Sequence, residues 1–287
     1  MQLYSSLCIR AGQDYPSAIF RDELFAGLCR EMGSHVLTQQ AKYCVLYING
    51  EYFGIYCLKE AFSETYYGEN RGVSPESVTI AQAPVAPGSE FDQVLEYCKS
   101  HDLSVQEHYD YVAQRVNIEA MIDWMIIEGY SCNSDIQQNL RYVKSTEDGN
   151  RWTPALYDLD WTFYSHDPFY HVLCAGNNWQ HTTLTRALLQ NSGFREQFLS
   201  RLSWAMDGVL SNENVLAHID AYQQLLDHEV PAERQRWDGD YAGWIGHVNR
   251  LRAFITEHDH HGRIVENLRK FINLTDAECE TYFGRWV

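Results

Sequence analysis

The sequence predicts an α+β fold with two lobes, a small β-rich amino-terminal lobe followed by a larger and mainly helical carboxy-terminal lobe. A clear hairpin pattern lies early in the chain, a proline-rich stretch follows it, and helical periodicity dominates from about residue 183 to the end. The 287 residues suffice for one large domain or two lobes. We therefore expect a small lobe over 1–68, a connection over 69–90 and a helical lobe over 91–287.

The composition restricts the possible partners. The formal net charge of −17 argues against nucleic acid and anionic membranes, since both require a positive face. Excess carboxylate suits cations or basic partners, although solubility alone also accounts for it. The chain has no apolar run long enough for a membrane span, and its first residues do not resemble a signal peptide. The cysteines form no C-x-x-C pair, which indicates free thiols.

A first helix is predicted over 19–32. Acidic Asp22 and Glu23 occupy its first turn, where they complement the helix dipole, and Gly33 follows as a stop signal. The apolar residues of this segment recur at helical spacing and form one buried stripe. The stripe consists of Phe20, Leu24, Phe25, Leu28 and Met32.

Residues 42–58 predict a β-hairpin around Asn49-Gly50, the preferred dipeptide of a type I′ turn. With a regular register, Cys44 and Cys57 share one face as diagonal neighbours, too far apart for an easy disulfide. The expected cross-strand pairs are Ile48 with Glu51, Tyr47 with Tyr52, Leu46 with Phe53 and Tyr43 with Tyr56.

Downstream of the hairpin, loops and helices alternate. The stretch 69–90 holds three of the seven prolines and is expected to be a loop or lobe connection, and a helix follows around 90–100. Asn117 is expected to cap a strongly apolar helix, and 138–157 predicts a second hairpin. The helical remainder contains the tryptophans that we expect to anchor its packing: Trp204, Trp237, Trp244 and Trp286.

The residues with the clearest chemical meaning flank this second hairpin. Asp135 and Asn139 lie in the loop after the apolar helix, and Asp158 and Asp160 form a D-x-D at the exit of the second strand. Protein kinases have the same order of parts: a loop Asp meets the substrate hydroxyl, a nearby Asn holds metal, and a later Asp holds metal. Magnesium prefers such hard oxygen ligands. The order therefore predicts metal-dependent phosphoryl transfer in a two-lobed, protein-kinase-like fold.

Other interpretations of these carboxylates remain open. A single Asp in a loop after a helix is often a turn or cap residue. Two carboxylates on one strand repel each other unless a cation or donors lie between them, so a D-x-D indicates a cation site. The same signature is found in many glycosyltransferases that use nucleotide sugars. The combined order of Asp135, Asn139 and Asp158 favours the kinase interpretation.

Several segments together resemble the CotH family, the spore coat protein H kinases. The resemblance covers most of the chain, and its motifs are specific in combination. Further agreement comes from IFRD at 19–22, and from Trp244 and LRAF at 251–254 near the end. The main segments are YINGEYFGIYCLKE at 47–60, NSD at 133–135 with Asn139, and YDLDWTF at 157–163.

The resemblance implies an atypical protein-kinase-like fold that uses ATP with Mg²⁺ or Mn²⁺. The implied reaction phosphorylates serine, or threonine, in a serine-rich acceptor on a surface or coat protein. Members of the family occur in spores and as extracellular modules. The resemblance therefore implies the spore coat, the cell surface or secretion as locations.

By motif position the resemblance also implies the roles of individual residues. Asp135 corresponds to the catalytic Asp of the loop. The implied metal ligands are Asp158 and Asn139, with Asp160 sharing the metal. The implied nucleotide contacts are Glu60, Lys59 and Trp152.

The chain departs from the family pattern in its amino-terminal lobe. Family members usually carry a basic strand segment before the point where this chain starts. We therefore expect a shortened small lobe without that phosphate-contacting cation, with Lys42, Lys59 or Arg21 as candidate replacements. Tyr157 and Tyr164 stand where the family usually has Trp and Gly. A non-catalytic module that binds nucleotide or protein is therefore a further alternative.

Overall fold

The computed structural model describes residues 6–11, 18–174, 176 and 179–286, and it confirms the predicted α+β fold. Two three-stranded antiparallel sheets lie within residues 7–155, and helices make up most of the remaining chain. The strands are β1 Leu7–Ala11, β2 Ala41–Ile48, β3 Glu51–Glu60, β4 Val78–Gln82, β5 Arg141–Ser145 and β6 Thr153–Ala155. The α-helices are α1 Arg21–Glu31, α2 Glu64–Arg71, α3 Glu90–Ser100, α4 Gln106–Ala113, α5 Ile118–Tyr130, α6 Ile136–Asn139, α7 Tyr170–Leu173, α8 Gln180–Leu188, α9 Ser192–Asp207, α10 Asn212–Leu226, α11 Val230–Arg236, α12 Tyr241–Thr256, α13 His260–Ile272 and α14 Asp276–Phe283. Within the described residues, no helix has both the length and the apolar character needed to span a membrane.

The first sheet has the order β1-β3-β2. Its hairpin turns at Asn49 and Gly50, whose φ angles of 53° and 84° are those that a type I′ turn requires, so the predicted turn is confirmed. The predicted register is wrong beyond the residues next to the turn. A β-bulge between Leu46 and Tyr47 shifts the pairing by one residue, and Leu46 lies opposite Gly54.

The bulge reverses the faces of the strands beyond it, because a shift of one residue exchanges the two faces of a strand. Tyr43 pairs with Cys57, so Cys44 lies on the opposite face from Cys57 rather than on the same one. Ile55, Cys57 and Lys59 of β3 are buried. Lys59 alternates with Ile55 and Cys57 along β3, so its side chain lies on the buried face of this strand.

The second sheet, β4-β5-β6, corrects the expectation that 69–90 is a loop. This stretch contains β4, which pairs antiparallel with β5. A five-residue strand with only one fully buried residue gives little periodic signal, and the surrounding prolines dominate the sequence pattern. The predicted second hairpin is confirmed as β5–β6. A bridge between Leu37 and Ala155 joins the segment before β2 to β6.

The main helical predictions are confirmed. The α1 stripe is fully buried in the hydrophobic core, and α3 occupies the range expected for it. Asn117 Oδ1 accepts the backbone N–H of Ala120 at 3.2 Å and so caps α5. Almost every residue of α5 is buried, and this helix packs against α1, α7, α9 and β6. It is therefore the central support for the loop that follows it.

The tryptophans predicted as packing anchors differ from one another. Trp244 is buried and donates its indole N–H to the carbonyl of Ala18 at 3.0 Å, and Trp286 packs against the core. The prediction is wrong for Trp204 and Trp237, which are 48% and 44% exposed. Trp237 instead lies at the surface and donates to a carbonyl of β3 at 3.1 Å. Helical periodicity does not show which flanking aromatic residues a neighbouring element covers.

Candidate active site

The D-x-D segment follows β6 in an irregular turn. Asp158 has a left-handed φ of 61°, which is uncommon for a residue other than glycine and is often found at functional sites. Thr162 Oγ1 donates to the carbonyl of Leu159 at 2.7 Å, and the buried guanidinium of Arg21 donates to the carbonyl of Thr162. These contacts fix the turn, with the Asp160 side chain buried and that of Asp158 one-quarter exposed.

Arg10 of β1 lies between the two carboxylates of this turn. Its Nη2 donates to Asp158 and, at 3.0 Å, to Asp160 Oδ2, while its Nη1 lies 3.7 Å from Asp22. Burial alone lowers the pKa of Arg10, but the three carboxylates outweigh burial and raise this pKa above its ordinary value. A permanent cation therefore stands where three carboxylates converge. The structure therefore has a strand cation at the D-x-D turn, and the expected lack of a phosphate-contacting cation in the small lobe stays a prediction.

Lys59 forms a buried ion-pair group with α1. Its Nζ contacts Asp22 and lies 2.6 Å from Glu23 Oε1, and the three side chains are between 7% and 10% exposed. Burial lowers the pKa of Lys59, but the two carboxylates raise it above its ordinary value. A strand lysine paired with a helix glutamate is also the arrangement that protein kinases place against the ATP phosphates.

Asp22 connects the two cationic groups to the D-x-D turn. Its Oδ1 accepts the backbone N–H of Leu159, between the two aspartates, at 3.3 Å. Its Oδ2 contacts Lys59 and lies near Arg10. Four carboxylates, those of Asp22, Glu23 and the D-x-D pair, therefore share two cations.

The predicted catalytic loop lies beside this group. Asp135 precedes α6, and its Oδ2 accepts the Nδ2–H of Asn139 at 2.9 Å. The backbone N–H and the hydroxyl of Ser134 both donate to the carbonyl of Trp161 at 3.3 Å. This contact ties the loop to the residue that follows Asp160. The structure therefore brings both predicted motifs into one region.

A buried carboxyl group supports the loop from α5. Glu128 accepts the Nδ2–H of Asn133 at 2.8 Å, and Asn133 Oδ1 accepts the backbone N–H of Asp135 at 3.1 Å. Desolvation raises the pKa of Glu128 to about 8, although the Asn133 hydrogen bond opposes the shift. The hydrogen bonds from Asn133 to Glu128 and from Asp135 to Asn133 fix the backbone at Asp135. Glu128 thus acts on the site by positioning the loop.

Comparison with protein families agrees with this geometry. The family model described as CotH kinase protein matches residues 10–84 and 86–261, a span that contains all the residues just described. The chain belongs to the CotH kinase family. At the family level it is a kinase-like enzyme, and the resemblance based on its motifs is confirmed. No curated protein matches the chain.

The carboxylates of this CotH family member suit the divalent metal that the kinase-like class implies. Asp158 and Asp160 both contact Nη2 of Arg10, so their oxygens converge on one cation position, which the Arg10 guanidinium occupies in this structure. In the described ranges, no group of three His, Cys, Asp or Glu side chains forms a preformed metal site. This is compatible with Mg²⁺, which proteins usually hold through one or two carboxylates plus substrate phosphates. Asn139 donates its amide N–H to Asp135, and its Oδ1 is an oxygen of the hard type that Mg²⁺ prefers.

Two predicted nucleotide contacts have other partners in the structure. Glu60 accepts the backbone N–H of Gln40 at 2.8 Å and the side-chain amide of Asn70 at 3.4 Å, so its carboxylate joins β3 to α2. Trp152 is buried against Phe91, with ring centroids 5.3 Å apart, and it lines a cleft that contains none of the site carboxylates. The structure does not bring Trp152 to the D-x-D turn. The nucleotide contacts of both residues stay predictions.

An aromatic group adjoins the D-x-D turn. The ring of Tyr157, directly before Asp158, lies 5.9 Å from the ring of Phe62. The guanidinium of Arg141 lies 4.5 Å from the centroid of the Tyr157 ring. Phe62 follows the end of β3, two residues after Glu60. The rings of Tyr157 and Phe62 therefore lie beside the D-x-D turn. Tyr157 is aromatic, like the Trp that the family usually has at this position.

Sequence reasoning missed the role of Arg10 and misjudged the acidic pair on α1. Arg10 lies in a five-residue, largely exposed strand that gives no periodic signal. In the sequence, Asp22 and Glu23 look only like acidic residues of a helix's first turn, but they are buried. The apolar residues on both sides of them, Ile19-Phe20 and Leu24-Phe25, were the sequence signal for this burial. Of the candidate replacement cations, Lys59 joins the ion-pair group, Arg21 holds the turn and interacts electrostatically with Asp160, and Lys42 is exposed.

Proposed function

We propose that this protein transfers the γ-phosphoryl group of ATP to serine or threonine hydroxyls of a surface or coat protein, with Mg²⁺ or Mn²⁺ as the metal. The observation that carries the proposal is the joining of the Asp135 loop to the D-x-D turn through Ser134 and Trp161. Phosphoryl transfer requires an acceptor-orienting carboxylate beside a metal-holding one, and this contact supports that arrangement.

The roles in the reaction follow from these positions. Asp135 orients the acceptor hydroxyl and takes its proton. The hydroxyl oxygen forms a bond to the γ-phosphorus while the bond between this phosphorus and the β–γ bridging oxygen breaks, and ADP leaves. Asp158, Asp160 and Asn139 are the ligands for the metal, which when bound neutralises charge on the phosphates.

Two cations and an aromatic pair complete the proposed nucleotide site. Lys59 is held in place by Asp22 and Glu23, so its remaining donor capacity can be directed at phosphate oxygens without ordering a flexible side chain. Arg10 of β1 adds a second positive charge near the D-x-D turn. Tyr157 and Phe62 supply an apolar surface for the base.

Nucleotide binding and transfer are tested separately. Wild-type protein should show a rise in melting temperature with ATP and Mn²⁺, and metal-dependent transfer of label from ATP to a serine-rich acceptor. Asp158→Ala should lose both responses. Asp135→Ala should keep the melting shift and lose transfer by about 100-fold or more, as removal of a general base does. Asp110→Ala, at an exposed position of α4, is the matched control and should behave as wild type.

Other results would favour the alternatives. Equal labelling by wild type and by both site variants would refute the assignment of Asp135 and Asp158. A melting shift with UDP-sugars but not with ATP would identify a nucleotide-sugar transferase that uses the D-x-D. No shift with any metal and nucleotide would identify a non-catalytic module.

A further inference from the structure

A second polar cleft lies between α3, the end of α4 and the β5–β6 hairpin. Its volume is about 250 Å³, and none of the active-site carboxylates lines it. We refer to it as the α3–α4 cleft. The lining residues that matter here are Gln93, Tyr111, Arg115, Lys144, Asn150 and Trp152.

Arg115 brings an unneutralised cation to this cleft. Its guanidinium lies 3.5 Å from the ring centroid of Tyr111, and its Nη1 donates to the Tyr111 carbonyl at 2.9 Å. In the part of the chain that the structure describes, no carboxylate pairs with Arg115. A guanidinium has five donors, so Arg115 retains several for a ligand.

Lys144 brings a second cation to the cleft. Its side chain is only 11% exposed, and its Nζ lies 5.1 Å from the ring centroid of Trp152. Its carboxylate partner is Glu90, whose side chain is 65% exposed, so this ion pair lies at the solvent side of the cleft. The cleft therefore holds two cations, Arg115 and Lys144, and one carboxylate, that of Glu90, in a protein with a net charge of −17.

We propose that the α3–α4 cleft binds a phosphate monoester. Near neutral pH such a group carries close to two negative charges and three strong acceptor oxygens. Arg115 supplies a planar fork for two of these oxygens and Lys144 a point charge, while the amides of Gln93 and Asn150 are neutral donors. Tyr111 and Trp152 form walls for the organic part of the ester. Two sources carry such a phosphate, a phosphoserine of a protein and a small free ester.

The proposal does not depend on the proposed kinase activity, because it is tested by binding without ATP or metal. Calorimetric titration would compare a capped Gly-phosphoserine-Gly peptide, the same peptide without phosphate, glycerol phosphate and inorganic phosphate. Arg115→Gln and Lys144→Gln should each weaken binding of the phosphorylated probe by at least about 10-fold, as loss of a charge-assisted hydrogen bond does. Arg151→Gln is the matched control: this exposed arginine precedes Trp152 and does not line the cleft. It should change the affinity by less than about 2-fold.

The probes also identify the source of the phosphate. Tighter binding of the phosphopeptide than of glycerol phosphate supports the proposal with a protein ligand, and the reverse order supports it with a small ester. The proposal is overturned if no phosphorylated probe binds. It is also overturned if both cleft variants bind as wild type does, or if Arg151→Gln weakens binding as much as they do. Two separate cleft variants, each checked by thermal melting, ensure that one misfolded protein does not decide the result.

Discussion

Replacement of Lys59 by methionine tests the buried ion-pair group between β3 and α1. Lys59 Nζ contacts both Asp22 and Glu23, and all three side chains are nearly buried. Methionine has a similar length and fills the same space, so the substitution removes the charge with little change in packing. It leaves two carboxylates of like charge on consecutive residues, with the distant Arg10 contact to Asp22 as their remaining cation. We expect Lys59→Met to destabilise the protein strongly.

The expected magnitude follows from the burial of the group. Removal of one partner from a buried ion pair costs about 3–5 kcal/mol, because the remaining charge stays desolvated without compensation. For a protein of this size each 1 kcal/mol lowers the melting temperature by about 2–4 °C. Lys59→Met should therefore melt roughly 6–20 °C below wild type. Glu23→Gln in the same background removes one uncompensated charge and should restore about half of the loss.

The chain offers a matched control on the neighbouring strand. Lys42 of β2 is exposed, so Lys42→Met should change the free energy of unfolding by no more than about 0.5 kcal/mol. Melting curves followed by circular dichroism, without nucleotide or metal, suffice for the comparison. The reasoning is refuted if Lys59→Met melts within 2 °C of wild type, or if Lys42→Met is equally destabilised.

Two further substitutions, at Glu128 and Gly129, test how the end of α5 supports the Asp135 loop. Because the folded protein holds the Glu128 proton up to about pH 8 and the unfolded chain loses it near 4.5, wild-type stability should fall as pH rises through this window. Glu128→Gln does not titrate, so urea melts should show it gaining up to about 4 kcal/mol on wild type between pH 5 and pH 8, whereas parallel pH curves would contradict the burial argument. Gly129→Ala should cost about 1–3 kcal/mol because the added Cβ would lie 2.3 Å from the ring of Phe169. Gly246→Ala on α12, where nothing lies within 4 Å, should be neutral or stabilising by up to about 1 kcal/mol, and a similar loss at both sites would contradict the clash.

Local patterns were sufficient for the elements that have strong local signals. The Asn49-Gly50 turn, the Asn117 cap and the stripe of α1 each depend on residues close together in the chain, and the structure has all three. The bulge at Leu46 was not predictable in this way. A regular and a bulged hairpin place the same residues in the same order, and only packing against the rest of the fold distinguishes them.

The sequence by itself determined the fold class, the family and the order of the Asp135 and D-x-D motifs, because these are properties of residue type and spacing. Only the tertiary structure decided which cations serve those carboxylates. Arg10 and Asp158 are 148 positions apart, and no periodicity relates residues so distant in sequence. The same holds for Lys59, which contacts Asp22 across 37 positions of the chain. Electrostatic partners are chosen by proximity in space, so they appear only when the strands and helices have packed.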